Sequence, residues 1–378
     1  MAKPVRPGTT VTWWRRLAVY LTVAFFSFSW GMSHAADRLL AFGYVVWWAG
    51  DSWKQQPLST LDRLMFGDFA VGADGQVANR HGWPGQWAEL RAEVRRLGVP
   101  LDVSYSILEP AVFNAVFGSA ENQRRLMNDM LATVRDTSIS GLHLDVEIVA
   151  PVAPQARANY HAFVRQLVQS VRQMPTRKLV SAFLTFGADQ YLYDGPTAQL
   201  FDHAILQGYD AHWKDGLNAG PVAPLTGPDL ITWESMRAMA LRLGLQNHRV
   251  ILSFPMYGYE WEVEPCLPRG KRVAEGSITT FAAAPPGVPQ VKADVIRRVS
   301  QGGAIHDPAT GSAYYITAGG AARCTVGWFE DWWTLERKSQ WLVNEKLGGL
   351  AFFPLGYDQG ELVEFFSRRW RPRPPQKP

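Results

Sequence analysis

At 378 residues, with 47% hydrophobic and 19% charged side chains, the chain holds enough apolar material for a substantial core and is too apolar for a disordered polymer. Its formal charge of +4 comes from the ends: the first 35 residues carry four basic and no acidic side chains, and the tail from Arg368 carries five basic ones, which leaves 29 basic against 34 acidic residues between them. A body of net negative charge excludes nucleic acid as the expected partner.

The first segment has the parts of a secretory signal peptide. Lys3, Arg6, Arg15 and Arg16 precede the apolar run Leu17 to Met32, and Ser33-His34-Ala35 supplies small residues before Ala36. Residues 1–35 are therefore expected to be a leader, with the protein exported to a periplasmic or extracellular location and keeping no stable membrane span once the leader is removed. A retained N-terminal anchor is the alternative reading of the same run.

Eight short apolar segments follow as strand candidates: Leu39 to Trp47, Arg63 to Phe69, Leu101 to Ile107, Gly141 to Val149, Leu179 to Thr185, His203 to Gln207, Val250 to Phe254 and Gly349 to Phe353. Between them lie stretches of helical period such as WAELRAEVRRLG and ARANYHAFVRQLVQSVRQM. Strand and helix in alternation predict a parallel sheet, and eight repeats predict the α/β class with a closed (β/α)8 TIM barrel over residues 36–366. A Gly/Pro-rich segment at about 262–327 breaks the alternation and is expected to be a small α+β insertion after strand 7. Cys266 lies near its start and Cys324 near its end; in an oxidising compartment they are expected to pair, the alternative being two buried thiols. Residues 367–378, Pro-rich and basic, read as a solvated tail, or less simply as an adhesive for anionic surfaces.

The fourth strand carries the chemistry. In ISGLHLDVEIV, Ile139 to Val149, the aliphatic residues Leu142, Leu144, Val146 and Ile148 alternate with His143, Asp145 and Glu147. On an antiparallel sheet such a row would be an ordinary solvated face. In a barrel the aliphatic face packs on the helices, so the ionisable row points inward, and Glu147 falls at the C-terminal end of its strand, where barrel enzymes place their active sites. Buried charges there are costly unless paired or used.

Four patches, in order, resemble glycoside hydrolase family 18, the chitinase-like family. SGLHLDVE, Ser140 to Glu147, stands against the family pattern D-G-x-D-x-D-x-E, with Gly141, Asp145 and Glu147 matching and Ser140 and His143 departing. Tyr209-Asp210 in QGYDAHW is similar to the Met-x-Tyr-Asp after strand six, LSFPMYGYEW to the strand-seven pattern, and GGLAFFPLGYD to strand eight with Phe353 where a tryptophan is usual. YDAHW and TVGWFEDWWTLERKSQWLV look closest to the branch of spore-cortex-type N-acetylglucosaminidases, whose substrates are peptidoglycan and related glycans. The resemblance implies a retaining glycosidase in which the substrate's own acetamido oxygen attacks the anomeric carbon, so that one enzymic acid suffices. By this resemblance Glu147 is the acid, Asp145 orients the acetamido group, Tyr209 donates to it, and Asp210, His143, Tyr257, Trp261 and Phe353 bind substrate. No cofactor and no metal are implied. The partner is a polysaccharide or oligosaccharide with N-acetylated sugars, and the chain is expected to act as a monomer.

The departures carry expectations of their own. His143, if cationic, would weaken Glu147 as an acid, so activity is expected to fall on the acid side where it charges. VSYSILEP on strand three lacks the family's Ser-x-Gly-Gly. Trp47, Trp48, Trp213 and Trp332 stay open between core and sugar platform. Two rival functions remain: His143, Asp145 and Glu147 as metal ligands of a polysaccharide hydrolase or deacetylase, and a non-catalytic glycan-binding protein on the same fold.

Overall fold

The computed structural model describes residue 1 and residues 38–282, 284–318 and 322–371. The expected leader from residue 2 onward and the last seven residues of the expected tail lie outside the described residues.

The strands form where apolar runs can be covered on both faces. Leu101–Ile107 and Val250–Pro255 are buried along their whole length, as strands of an enclosed parallel sheet must be. Eight strands build the barrel: β1 (Leu40–Val46), β2 (Arg63–Val71), β3 (Leu101–Ile107), β4 (Gly141–Val146), β5 (Leu179–Leu184), β6 (His203–Leu206), β7 (Val250–Pro255) and β8 (Gly349–Phe353). They pair in parallel in the order β1-β8-β7-β6-β5-β4-β3-β2, and β2 returns to β1 to close the sheet. Each expected strand is present, β4 stopping at Val146 rather than Val149.

Helices fill the crossovers, among them Ala88–Leu97, Ala120–Arg135, Pro154–Arg172, Trp233–Arg242 and Trp332–Asn344. Their ends are set locally. Ser119 caps Ala120–Arg135 through the Asn122 amide, and Thr232 with Ser235 and Asp331 with Thr334 form reciprocal capping boxes. No described helix is long and apolar enough to cross a membrane.

The insertion is a sheet of seven strands, which starts at Tyr257, earlier than expected, and ends at Phe329. Its spine is Tyr257–Glu264 paired antiparallel with Cys324–Phe329, and the Cys266–Cys324 disulfide staples that pair. The chain's final helix, Glu361–Trp370, runs into the segment expected as a tail: Arg369 reaches Glu336 at 3.1 Å and Arg371 reaches Asp62 at 2.7 Å.

Inside the barrel the contents are layered. At the floor Arg63 of β2 pairs with Asp102 of β3 and Phe42 meets the His203 ring edge-on. One layer up, Tyr44 of β1, His143 of β4 and Ser181 of β5 form a hydrogen-bonded row. The carboxylates of the candidate site occupy the layer above, at the C-terminal mouth.

Candidate active site

The mouth opens into a cavity of about 310 Å³ lined by Tyr44, Trp47, Trp48, Asp68, Ser106, Asp145, Glu147, Phe183, Tyr209 and Phe353, with His81 and Leu108 at its rim. Backbone continuity aims the acids. The Glu147 amide donates to the Ile107 carbonyl at 3.0 Å, which extends the β3–β4 ladder past the last strand residue and keeps Glu147 on the face of Asp145. Gly208 performs a similar service just after β6: a Cβ there would lie 2.1 Å from the Ser253 carbonyl oxygen, so only glycine lets this backbone approach β7 and deliver Tyr209 to the cavity. Asp210, next in the chain, adopts a left-handed φ of 60° that aspartate tolerates better than most residues.

The electrostatics follow from burial. Asp145 and Glu147 act on each other, and both are pushed well above the usual carboxylate range, Glu147 to about 7. Burial is the main cause for each; the charge of Glu147 adds to the effect on Asp145 and that of Asp210 to the effect on Glu147, and Asp68 acts on both. The two acids therefore titrate as a unit that holds a proton in the neutral range. Asp210 is raised to about 6 by burial, against hydrogen bonds of 2.9 Å that Tyr257 and Tyr259 both donate to its Oδ1. Burial, with the charges of Glu147 and Asp210, pushes Tyr209 far up, so it remains a phenol donor. Its ring stacks on Phe353 at 5.3 Å and 6°, and Phe353 forms an apolar wall beside it.

Of the residues expected to act here, Glu147, Asp145, Tyr209 and Phe353 line one cavity, and Asp210 stands behind them. Three expected sugar contacts are placed elsewhere. His143 is 0% exposed, one layer below the cavity, because an alternating row shares a face but not a depth. Its Nε2 meets the Tyr44 hydroxyl at 3.0 Å and its Nδ1 meets the Ser181 hydroxyl at 2.8 Å. Burial lowers it to about 3, so the imidazole is neutral, and the expected acid-side loss of activity through its charging is corrected accordingly. Trp261 is 1% exposed in the insertion sheet, its Nε1 donating to the Lys214 carbonyl, and Tyr257 serves Asp210 rather than the cavity wall. Trp47 and Trp48 do face the cavity.

Among the described residues no three His, Cys, Asp or Glu side chains converge to hold a metal ion, and the bonded imidazole of His143 is not free to join Asp145 and Glu147 as a ligand.

Asp68 was missed by the sequence reading. β2 carries a register shift between Phe66 and Phe69, a bulge that resets the alternation. Arg63 faces the interior; beyond the bulge Phe69 packs outward on Tyr105, while both Gly67 and Asp68 face the cavity. Ser106 donates to the Asp68 carboxylate, and His81 Nε2 lies 3.6 Å from it. Tyr44 and Ser106 were legible in principle, since each is a polar residue on the inward parity of an apolar strand.

Comparison with known proteins gives a consistent picture. The family described as Glycosyl hydrolases family 18 matches residues 42–358. An uncharacterized glycosylase of Bacillus subtilis, YvbX, is 19% identical over 355 residues, spanning 91% of this chain and 95% of the relative. The structure of a Cycas revoluta chitinase in complex with (GlcNAc)3 superposes with a TM-score of 0.70 at 19% identity, covering 88% of this chain and 99% of that one. The Bacillus megaterium spore cortex-lytic enzyme SleL superposes with a TM-score of 0.65 at 17% identity, covering 87% and 74%.

Proposed function

The chain belongs to glycosyl hydrolase family 18, and from that premise we propose that it is a retaining glycosidase that cleaves N-acetylglucosamine-containing glycans with the substrate's acetamido group as nucleophile. The observation that carries this reading is the convergence of Asp145, Glu147, Tyr209 and Phe353 on one cavity at the C-terminal mouth of the barrel, where burial raises both acids.

Each residue has a task that its surroundings favour. Glu147, held protonated near neutral pH, protonates the leaving glycosidic oxygen as the acetamido oxygen attacks the anomeric carbon. Asp145 accepts the acetamido N–H and opposes the positive charge of the oxazolinium intermediate, and Tyr209 donates to the acetamido oxygen. Glu147, now a carboxylate, takes a proton from the water that opens the intermediate, which restores the starting state. Phe353 lies beneath the sugar ring as an apolar floor.

Among the described residues the lining includes no lysine or arginine, so a neutral sugar at the reacting position is favoured over one bearing a carboxylate. Chitin-like oligomers and the N-acetylglucosamine units of peptidoglycan both meet this condition. The Cys266–Cys324 disulfide supports export to an oxidising compartment. Product release from N-acetylglucosamine oligomers and from peptidoglycan, by the purified chain and its Glu147→Gln variant, with and without chelator, tests the reading. Chelator-insensitive cleavage that is lost in the variant is expected. Binding without cleavage by the parent chain would make it a lectin.

A further inference from the structure

The bulge in β2 is the feature of the mouth that the proposed chemistry leaves unused. It turns Asp68 into the cavity on a strand whose regular alternation would have hidden it. The carboxylate is 18% exposed, and what surrounds it does not balance its charge as Arg63 balances Asp102 at the floor. The cavity that it enters is lined from β1 by Tyr44, from β3 by Ser104 and Ser106, from β4 by the acids Asp145 and Glu147, and after β6 by Tyr209; the neutral His143 lies a layer below and Asp210 behind Tyr209. Among the described residues that line the cavity, His81 is the one basic side chain beside Asp68. Its ring stacks flat on Trp47, 4.1 Å between centroids and 5° between planes, and burial lowers its affinity for a proton more than Asp68 raises it.

Asp68 is also tied to the acid pair by the sheet itself. Ser106, which donates to Asp68, is the register partner of Asp145 across the β3–β4 ladder. Position 143, the next inward place on β4 beneath the acids, holds a neutral imidazole bonded to two hydroxyls and supplies no charge. With three carboxyl groups around one cavity and no lysine or arginine among the described residues of its lining, full ionisation is opposed by mutual repulsion in a partly enclosed space, and retaining a proton relieves it.

We propose that Asp68 is a positioning residue of the acid pair: a third carboxylate, set by the β2 bulge and held by Ser106, that keeps one proton shared between Asp145 and Glu147. This rests on reading that pair as the acid machinery. Asp68 itself need not touch the reacting atoms.

The test is a titration that does not depend on turnover. Carboxyl-labelled 13C NMR of the purified chain from pH 4 to 9 follows the Asp145 and Glu147 resonances in the parent and in Asp68→Asn. The upper step of the pair is expected to fall by about one pH unit in the variant, the scale of removing a nearby like charge. Asp68→Ser, which leaves space instead of an amide, must move the step the same way, and Asp68→Glu must restore most of the parent value; a merely structural role would produce neither pattern. An upper step unchanged in both neutral variants overturns the proposal. A step that moves while the parent chain cleaves no glycan would sink the enzymatic reading and leave the proton-holding role standing, so the two failures are distinguishable.

Discussion

Two sets of buried acids in this molecule are kept from repelling or unfolding it by opposite means. Where the insertion sheet meets the helix Trp332–Asn344, Glu330 and Lys338 are both 0% exposed and sit 2.5 Å apart, with Ser312 donating to Glu330 and Lys338 donating to the Gly311 carbonyl. At the barrel mouth, Asp145 and Glu147 face Asp68 and Asp210 with no lysine or arginine among the described residues of the lining, and burial pushes both acids toward keeping a proton where the other site has a cation. The first arrangement is closed: every polar atom is committed, and nothing is left to exchange. On the proposed mechanism the second is open, because a proton can be given to a leaving group and recovered from water, whereas an ammonium fixed to the chain cannot. The fold thus spends burial on architecture in one place and on acid strength in the other.

The largest effect is expected where that difference is removed at the mouth. Glu147→Gln keeps the shape and deletes the transferable proton, and initial rates on N-acetylglucosamine oligomers should fall by about a thousandfold or more with oligomer binding retained. At the other pair, Lys338→Met leaves Glu330 buried without its cation and should lower stability by about 3 kcal/mol in chemical denaturation. The folded fraction should keep its turnover, and the double change Glu330→Gln with Lys338→Met should recover most of the loss.

A smaller effect concerns pH. Glu147 has a folded value of about 7 against an ordinary value of 4.5, so the folded chain holds its proton more firmly than the unfolded one. The resulting stability is full below 4.5 and is lost as pH rises through 7. The stability of the parent relative to Glu147→Gln should accordingly decline across that window by about 3 kcal/mol, and a flat difference would contradict the raised acid. The smallest effect is expected from His143→Asn. Because the parent imidazole stays neutral down to about 3, the two pH profiles of kcat/KM should superimpose between about pH 5 and 8.

The barrel was legible because its strands are enclosed on both faces and so appear as short apolar runs separated by amphipathic helices; Leu101–Ile107 and Gly349–Phe353 were readable to the residue. The row His143, Asp145, Glu147 was legible as one face by the same reasoning. Depth along the barrel axis was not, since periodicity gives the side of a strand and not its level, and His143 therefore belongs to the layer of Tyr44 and Ser181 instead of the cavity. Asp68 was hidden by a bulge, which shifts parity without leaving a mark in the hydrophobic pattern. Trp261 was misplaced because the insertion sheet starts at Tyr257 and takes the tryptophan with it into its own core. The start of the tail proved helical because Trp370 and Arg371 find Glu336 and Asp62, contacts between segments remote in sequence.

The idea that a proton, rather than a cation, balances the mouth is tested most directly by the alkaline limb of kcat/KM on an N-acetylglucosamine oligomer with an unactivated leaving group. A plateau on the acid side that gives way near pH 7, with a fall of about tenfold per unit beyond it, is the expected result. A rate that holds constant from pH 6 to 9 would mean that no shared proton on Asp145 and Glu147 is spent in the reaction.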